Sequence, residues 1–136
     1  MNKISTSLEQ SKKLIELGIS FNTADMFYAD LLVGDNHKYN IHLLESYGFK
    51  TFGETKLKIS NRLCFIPAWS LTALLKLMPT DDKKDEYYVT TESHSDYHTV
   101  NYRNCWDGCI HSEYSEESLL DAAFKMVCWL LENKKL

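Results

Sequence analysis

The sequence predicts one α+β domain over residues 1–136, in which a three- or four-stranded antiparallel sheet packs against helices. Two observations support this prediction. A long amphipathic helix pattern occupies the C-terminal end of the chain, and three short segments rich in aromatic and β-branched residues stand just before it. Three main helices are expected, at Leu8 to Leu17, Ser70 to Met78 and Glu116 to Asn133.

The first helix is predicted from its two ends. Thr6 with Glu9 and Ser7 with Gln10 both have the capping-box spacing, so either pair suits the N-terminus. Gly18 suits the left-handed position that ends a helix, with the next residue folding back on the last turn.

The stretch that follows is harder to interpret. Thr23 is positioned to cap a second short helix through Ala24 to Leu32. Residues 38–52 fit either a helix or a strand. Two brief β-type runs come next, at Leu57–Ile59 and at Cys64–Ile66, the latter stopped by Pro67.

The second main helix and the loop after it have clearer patterns. Ser70 is placed as a helix cap, Leu71, Leu74, Leu75 and Met78 share one side, and Pro79 follows the end. The run from Thr80 to Glu86 has no apolar member, so it predicts a solvated loop.

The predicted sheet is a meander followed by the last helix. Its three segments are Tyr87–Thr91, Tyr97–Arg103 and Ile110–Tyr114, and the Asp107-Gly108 dipeptide is typical of a tight hairpin turn. In the helix, capped in this interpretation by Ser115, the apolar residues recur at three- and four-residue steps. The polar stripe is narrow, so the helix is expected to be covered on two sides. The apolar face comprises Leu120, Ala123, Phe124, Val127, Leu130 and Leu131.

Composition limits the classes of function. Charged residues make up 25% of the chain and apolar residues 44%, as in a globular protein with a modest core. Lys and Arg number 15 against 19 Asp and Glu, for a formal net charge of -4. This balance argues against nucleic acid as a partner held mainly through phosphate contacts.

The expected location is the bacterial cytoplasm. No apolar run approaches the roughly 20 residues that span a bilayer, and the N-terminus lacks the apolar core of a secretion signal. No membrane association is expected. In that compartment Cys64, Cys105, Cys109 and Cys128 are expected to be reduced thiols.

Three blocks of the sequence carry a resemblance to known proteins. They are Ser7–Leu14 with Thr23–Met26, Pro67–Leu71 through Pro79, and Leu120–Phe124 through Asn133. Together they resemble a family of small phage and prophage proteins from gut bacteria of the Bacteroides group. The resemblance implies an origin in mobile DNA and a bacterial cytoplasm. It supplies no catalytic residue, because the family has no established activity.

One cluster contains the residue types that bind transition metals. His94, His98, Cys105, Cys109 and His111 lie within eighteen positions, and zinc accepts such ligands. The spacing matches structural zinc sites poorly, since the histidines precede the cysteines. On a regular strand His94 and His98 would be roughly 13 Å apart. A zinc site at His94, His98, Cys105 and Cys109 is therefore the weaker of two hypotheses, and no cofactor is assigned.

Catalytic patterns are not specified by this sequence. Four cysteines and five histidines permit a nucleophile and base pair without defining one. The carboxylates have no diagnostic spacing, and the five glycines stand singly, so there is no phosphate-binding loop. An enzyme is the less favoured interpretation.

The stronger hypothesis is a small protein-interaction module that binds a protein partner or itself. Tyr87, Tyr97, Tyr102 and Trp106 are the candidate interaction residues, because the meander has more large aromatic side chains than one buried face can hold. The alternative is that these rings pack against one another and against helix ends. Only Arg103 is basic between Glu86 and Tyr114, which disfavours base stacking on nucleic acid.

A third hypothesis rests on the order of elements alone. Strands followed by a Leu-x-x-Ala helix start are similar to the small antitoxin domains of the HicB kind. This is analogy at the level of fold, and it assigns no toxin-facing residue.

Overall fold

A computed structural model describes residues 3–33, 36–47, 65–79 and 86–136. These residues form two three-stranded antiparallel sheets and three α-helices, so the predicted α+β fold with a long C-terminal helix is confirmed. The chain divides into an N-terminal unit, Ser5–Ala73, and a C-terminal unit made of Met1–Ile4 and Leu74–Leu136. The extent of one domain over residues 1–136 stays a prediction.

The helices are α1 (Leu8–Glu16), α2 (Leu71–Leu77) and α3 (Leu119–Glu132). The strands are β1 (Met26–Val33), β2 (Asn36–Leu43), β3 (Phe65–Ala68), β4 (Tyr87–Ser93), β5 (His98–Asn104) and β6 (Ile110–Glu116). Two short 3₁₀ helices are present at Phe21–Thr23 and Glu45–Tyr47. The predicted strand at Leu57–Ile59 and the residue Cys64 lie outside the described residues, as does nearly all of the predicted charged loop.

Helix α1 begins and ends as its sequence predicts. Of the two candidate capping boxes, the structure uses Ser7 with Gln10: the Gln10 N–H donates to Ser7 Oγ at 3.1 Å, and the Ser7 N–H donates to Gln10 Oε1 at 3.0 Å. At the other end Gly18 has φ +92°, and the Ile19 N–H donates to the Leu14 carbonyl at 3.1 Å. The chain therefore reverses over the last turn, as Gly18 indicates.

The predicted helix from Ala24 to Leu32 is wrong, because this segment is strand β1. Thr23 closes a 3₁₀ turn, and its hydroxyl donates to the Ser20 carbonyl at 2.6 Å. Strand β1 is the central strand of the first sheet, in the order β2-β1-β3, and pairs antiparallel on both edges. Pairing on two sides and burial of Phe27 outweigh the helical spacing of a short apolar run.

The first sheet also settles the two ambiguous runs after β1. Within residues 38–52, strand β2 extends to Leu43 and a 3₁₀ turn follows. Pro67 does not stop the next run: it lies inside β3, opposite Phe27. Because β3 is an edge strand, a missing N–H is tolerated there. Phe27 and Phe65 pack edge to face with ring centroids 5.7 Å apart.

Helix α2 is capped by Ser70, as predicted. The Ala73 N–H donates to Ser70 Oγ at 3.2 Å. The Asp25 carboxylate in turn accepts the Ser70 N–H at 2.9 Å and the Ser70 hydroxyl. The negative charge of Asp25 therefore lies at the positive end of the helix dipole, where it stabilises the start of α2.

The second sheet is the predicted meander, in the order β4-β5-β6. Val100 on β5 lies opposite Thr91 on β4 and Tyr114 on β6, which defines one face of the sheet. Helix α3 packs over β5 and β6. Val100, Ala123, Met126, Val127 and Leu130 have no exposed surface, so the core of the C-terminal unit lies between helix and sheet.

The predicted start of the last helix is wrong by three residues. Ser115 and Glu116 belong to β6, and the N-cap is Ser118, whose Oγ accepts the Asp121 N–H at 3.4 Å. Ser115 instead exchanges a hydrogen bond with Thr99 across the sheet at 2.9 Å between the two hydroxyl oxygens. Ser115 and Glu116 therefore pair in strand β6, although the local capping pattern predicts them at the start of the helix.

Candidate interaction surface

The second sheet holds an aromatic cluster on the side that faces α3. The cluster consists of Tyr87, Tyr102, His111 and Trp129. Tyr87 stacks on Tyr102 with ring centroids 5.1 Å apart, and Tyr102 lies 5.5 Å from the Trp129 ring. His111 lies 5.5 Å from Tyr87 and 5.9 Å from Trp129. The cluster therefore joins all three strands of the sheet to the helix.

A β-bulge brings His111 into this cluster. In the pairing of β5 with β6, Tyr102 lies opposite Ser112, whereas Arg103 lies opposite Ile110. His111 is thus the extra residue of β6 between these two pairs. A bulge redirects side chains relative to regular alternation. Its effect here is to bring the imidazole beside Tyr102, on the helix side of the sheet.

Two of the four predicted interaction residues therefore pack internally. Tyr102 is only 5% exposed, and Tyr87 is half-buried against it. For this pair the alternative holds, in which aromatic rings pack on one another and on the helix. Their described contacts stabilise the sheet, and they present little surface to a partner.

Arg103 fixes the β5–β6 hairpin from the opposite face. Its Nε donates to Thr90 Oγ1 at 3.2 Å, its Nη1 donates to the Gly108 carbonyl at 3.1 Å, and its Nη2 donates to Glu92 Oε1 at 3.3 Å. One guanidinium thus links strand β4 to the turn between β5 and β6. Arg103 therefore stabilises the sheet by linking these two parts of it.

The turn itself, residues 104–109, is here called the hairpin tip. The Asn104 N–H donates to the Cys109 carbonyl and the Gly108 N–H to the Asn104 carbonyl, both at 3.0 Å. Side chains add two further bonds, from the Trp106 N–H to Asn104 Oδ1 at 2.8 Å and from the Cys109 N–H to Asp107 Oδ1 at 2.9 Å. Gly108 has φ +69°, a left-handed conformation that favours glycine. The predicted Asp107-Gly108 turn is therefore present and tightly bonded.

The hairpin tip exposes a large apolar side chain. Trp106 is 84% exposed, and Ile110 beside the tip is 46% exposed. Tyr97, the remaining predicted interaction residue, is 45% exposed at the turn between β4 and β5, where His94 stacks on it at 4.4 Å. Trp106 and Tyr97 are the two predicted interaction residues that present substantial surface.

The zinc candidates lie at opposite ends of β5. His94 and His98 flank the turn before the strand, whereas Cys105 and Cys109 belong to the hairpin tip after it. A seven-residue strand separates these ends by roughly 20 Å, too far for a shared ion. His98 Nδ1 instead lies 3.0 Å from Ser93 Oγ, and both cysteines are free and exposed. Within residues 3–33, 36–47, 65–79 and 86–136 no group of three or more His, Cys, Asp or Glu side chains could hold a metal ion.

Comparison with known proteins assigns no family. No family model, no curated protein and no solved structure matches this chain. In the described portion of the chain, the helices are too short or too polar to cross a membrane. The functional assignment therefore rests on the geometry of the surface itself.

Acidic residues lie in β6, just after it and at the hairpin tip. Glu113 and Glu117 are exposed, and Asp107 lies at the hairpin tip. Glu116 binds Lys125 of α3, and this hydrogen bond together with the negative charge of Glu116 raises the pKa of Lys125 above its ordinary value of 10.5. Lys125 is therefore paired with Glu116 at the end of β6. Glu113 has no ion-pair partner among the described residues.

The sequence did not reveal the roles of His111, Trp129 and Ile110 at this surface. The place of His111 depends on the bulge, which is a property of the pairing between two strands. The segment around Trp129 indicates a helix but not which aromatic ring it meets. In the sequence pattern, Ile110 is simply the first residue of a strand. Its exposure follows only from its place at an outer edge beside the turn.

Proposed function

We propose that this protein is a small interaction module that inserts Trp106 of the hairpin tip into an apolar pocket on a partner protein. A single observation carries the proposal: a tryptophan that is 84% exposed is held on a turn whose backbone is fixed by hydrogen bonds. The proposed module acts by binding and performs no catalytic step. The resemblance to phage and prophage proteins makes a host or phage protein in the bacterial cytoplasm the proposed partner.

The fixed backbone distinguishes Trp106 from a side chain on a mobile loop. The Asn104 and Asp107 side chains accept backbone N–H bonds within the turn, and Arg103 donates to the Gly108 carbonyl. These bonds hold the turn in one conformation. An anchor that is ordered before binding loses less conformational entropy when it binds. The hairpin tip is therefore suited to present a preformed contact.

Tryptophan is also one of the side chains enriched among residues that dominate binding energy. Truncation of such an anchor typically reduces binding free energy by about 2 kcal/mol or more. Ile110, exposed beside the tip, extends the apolar contact, and the acidic side chains around it suit a polar rim. Tyr97, at the other end of β5, lies outside this proposed contact.

The test compares three forms of the protein in capture experiments from a lysate of a Bacteroides-group bacterium. Trp106→Ala is the test variant, and Tyr97→Ala is the matched control, because it removes an exposed aromatic ring from the opposite end of the same sheet. We expect wild type and Tyr97→Ala to retain the same proteins, and Trp106→Ala to retain them at least tenfold less. Circular dichroism establishes that each variant is folded. Equal capture by all three forms would contradict the proposal.

A further inference from the structure

Strand β6 is an edge strand of the second sheet as the described residues form it. Beyond its pairing with β5, no backbone hydrogen bond joins a β6 residue to another described residue. In an antiparallel pair, alternate residues direct their N–H and C=O groups away from the partner strand. Within the described residues, the outer edge of β6 therefore presents a row of donors and acceptors without backbone partners.

Two other sheet edges carry features that discourage pairing, and β6 lacks both. Strand β3 has only four residues and contains Pro67. On β4 the Val89 N–H already donates to the Pro79 carbonyl at 2.9 Å. Strand β6 contains neither Pro nor Lys, and its bulge at His111 leaves Ser112–Glu116 in regular register. Long unprotected edges are the sites at which extended peptides add to a sheet.

The negative charge along this edge favours pairing with a positively charged strand. Glu113 is exposed and without an ion-pair partner in the described part of the chain, and Glu117 is exposed just past the end of β6. Glu117 lies in the bend after the last paired residue of β6, so Glu113 is the exposed carboxylate within the strand itself. Directly opposite side chains in paired strands are about 5 Å apart, and opposite charges there are stabilising.

We propose that β6 binds an extended segment of a partner protein that carries Lys or Arg opposite Glu113. This inference names the chemistry of the partner and rests on the proposed function as an interaction module. The backbone of the segment pairs with the outer edge of β6, and its basic side chain lies opposite the Glu113 carboxylate. Trp106 at the adjacent hairpin tip then contacts the same partner beyond the end of the segment.

A second copy of this chain is the less suitable occupant. Two β6 strands paired antiparallel would bring Glu113, Glu116 and Glu117 of one copy near the same acidic side chains of the other. Like charges directly opposite in paired strands are destabilising. The Lys125 ammonium is held by Glu116 of its own chain, so it does not relieve that repulsion.

The experiment uses the whole protein and a blocked peptide of the same length as β6. The lysine peptide alternates threonine and valine and has one lysine at its centre. One control peptide has glutamate in place of the lysine, and a second is N-methylated at alternate amides, so that its backbone cannot pair. Binding is followed by titration in NMR, which also shows which amides of the protein respond.

We expect saturable binding of the lysine peptide, with the largest amide shifts at Ser112–Glu116, and no binding of the N-methylated peptide. Glu113→Lys should weaken binding of the lysine peptide about tenfold and strengthen binding of the glutamate peptide, since the charge pairing is reversed. Absence of saturable binding, equal binding of the N-methylated peptide, or shifts elsewhere would each overturn the proposal. So would a stable dimer in sedimentation that does not bind the lysine peptide.

These tests distinguish failure of one proposal from failure of the other. Trp106→Ala removes no part of the β6 backbone and no carboxylate, so we expect it to bind the lysine peptide as wild type does. Loss of capture in the lysate together with unchanged peptide binding supports both proposals. Normal capture by Trp106→Ala would contradict only the proposed role of the hairpin tip. Failure of the peptide titration would contradict only the proposed role of β6.

Discussion

Thr6 and Trp69 are joined by two hydrogen bonds that connect the start of the chain to the end of strand β3. The Thr6 N–H donates to the Trp69 carbonyl at 2.9 Å, and the Trp69 N–H donates to Thr6 Oγ1 at 3.1 Å. Neither residue has exposed surface. The same hydroxyl lies 2.8 Å from Ser11 Oγ in α1, so this pair places α1 against β3 in the N-terminal unit.

Replacement of Thr6 by valine should destabilise the protein by about 1 to 3 kcal/mol, because the buried Trp69 N–H loses its acceptor while the side-chain shape is kept. Urea denaturation followed by tryptophan fluorescence measures the change. Thr72→Val is the matched control, since Thr72 is exposed on α2, and its effect should stay within about 0.5 kcal/mol. Equal stability of the two variants would show that the Thr6 hydroxyl is dispensable.

Two buried polar residues of β5 should respond differently to replacement by valine. Thr99 is bonded to Ser115, so Thr99→Val should lower stability by about 1 kcal/mol. Asn101 is 1% exposed, and its Oδ1 accepts no hydrogen bond from the residues described here. Asn101→Val should therefore leave stability unchanged or raise it, as a β-branched residue suits a central strand. Thermal unfolding of both variants tests this, and a larger loss for Asn101→Val would contradict it.

Leu130 should be the more sensitive of two neighbouring leucines in α3. Leu130 has no exposed surface, whereas Leu131 is half-buried. Leu130→Ala removes a fully buried side chain and leaves a cavity, so we expect a loss of about 2 to 5 kcal/mol. Leu131→Ala should lose clearly less in the same denaturant titration. The reverse order would mean that α3 is rotated relative to the sheet.

The ion pair between Glu116 and Lys125 should be visible as a raised lysine pKa. The Glu116 hydrogen bond and charge raise the pKa of Lys125 in the folded protein above 10.5. The associated stabilisation is complete below that ordinary value and is lost as pH rises through the raised pKa. Glu116→Gln should lower the pKa of Lys125 in an NMR titration. Glu113→Gln, which alters a carboxylate away from Lys125, should not.

Local patterns were sufficient to predict the meander. Its three segments correspond to β4, β5 and β6, because turn residues separate them and each consists of residues that favour strands. The end of α1 at Gly18 was equally local, since it depends on one residue that tolerates a positive φ. The choice of Ser7 over Thr6 as the cap was not predictable, because Thr6 is taken by Trp69, sixty-three residues away.

Elements that depend on distant pairing were predicted wrongly. The run at Ala24–Leu32 has the spacing of a short helix, but β2 and β3 both pair with it and fix it as a central strand. Similarly, Ser115 matches a helix cap by sequence alone, whereas the structure gives it a partner across the sheet in Thr99. In both cases hydrogen bonds to residues far along the chain outweigh the local preference.

The candidate surface was predictable in composition but not in arrangement. The aromatic excess correctly indicated that some rings are exposed, and Trp106 is the most exposed of them. Which rings are buried depends on α3 and on the bulge, so Tyr102 could not be distinguished from Trp106 by sequence. The separation of His94 from Cys105 follows from the length of β5, which became certain only with its register.

The extra residue at His111 gives this part of the chain one position more than regular pairing needs. Removal of one residue between Tyr102 and Ser112 would convert the bulge into regular pairing, with Tyr102 still opposite Ser112. Tyr114 and Glu113 would then keep their faces of the sheet. Such a deletion should therefore preserve strand β6 and abolish the ring contacts that His111 makes with Tyr102 and Trp129.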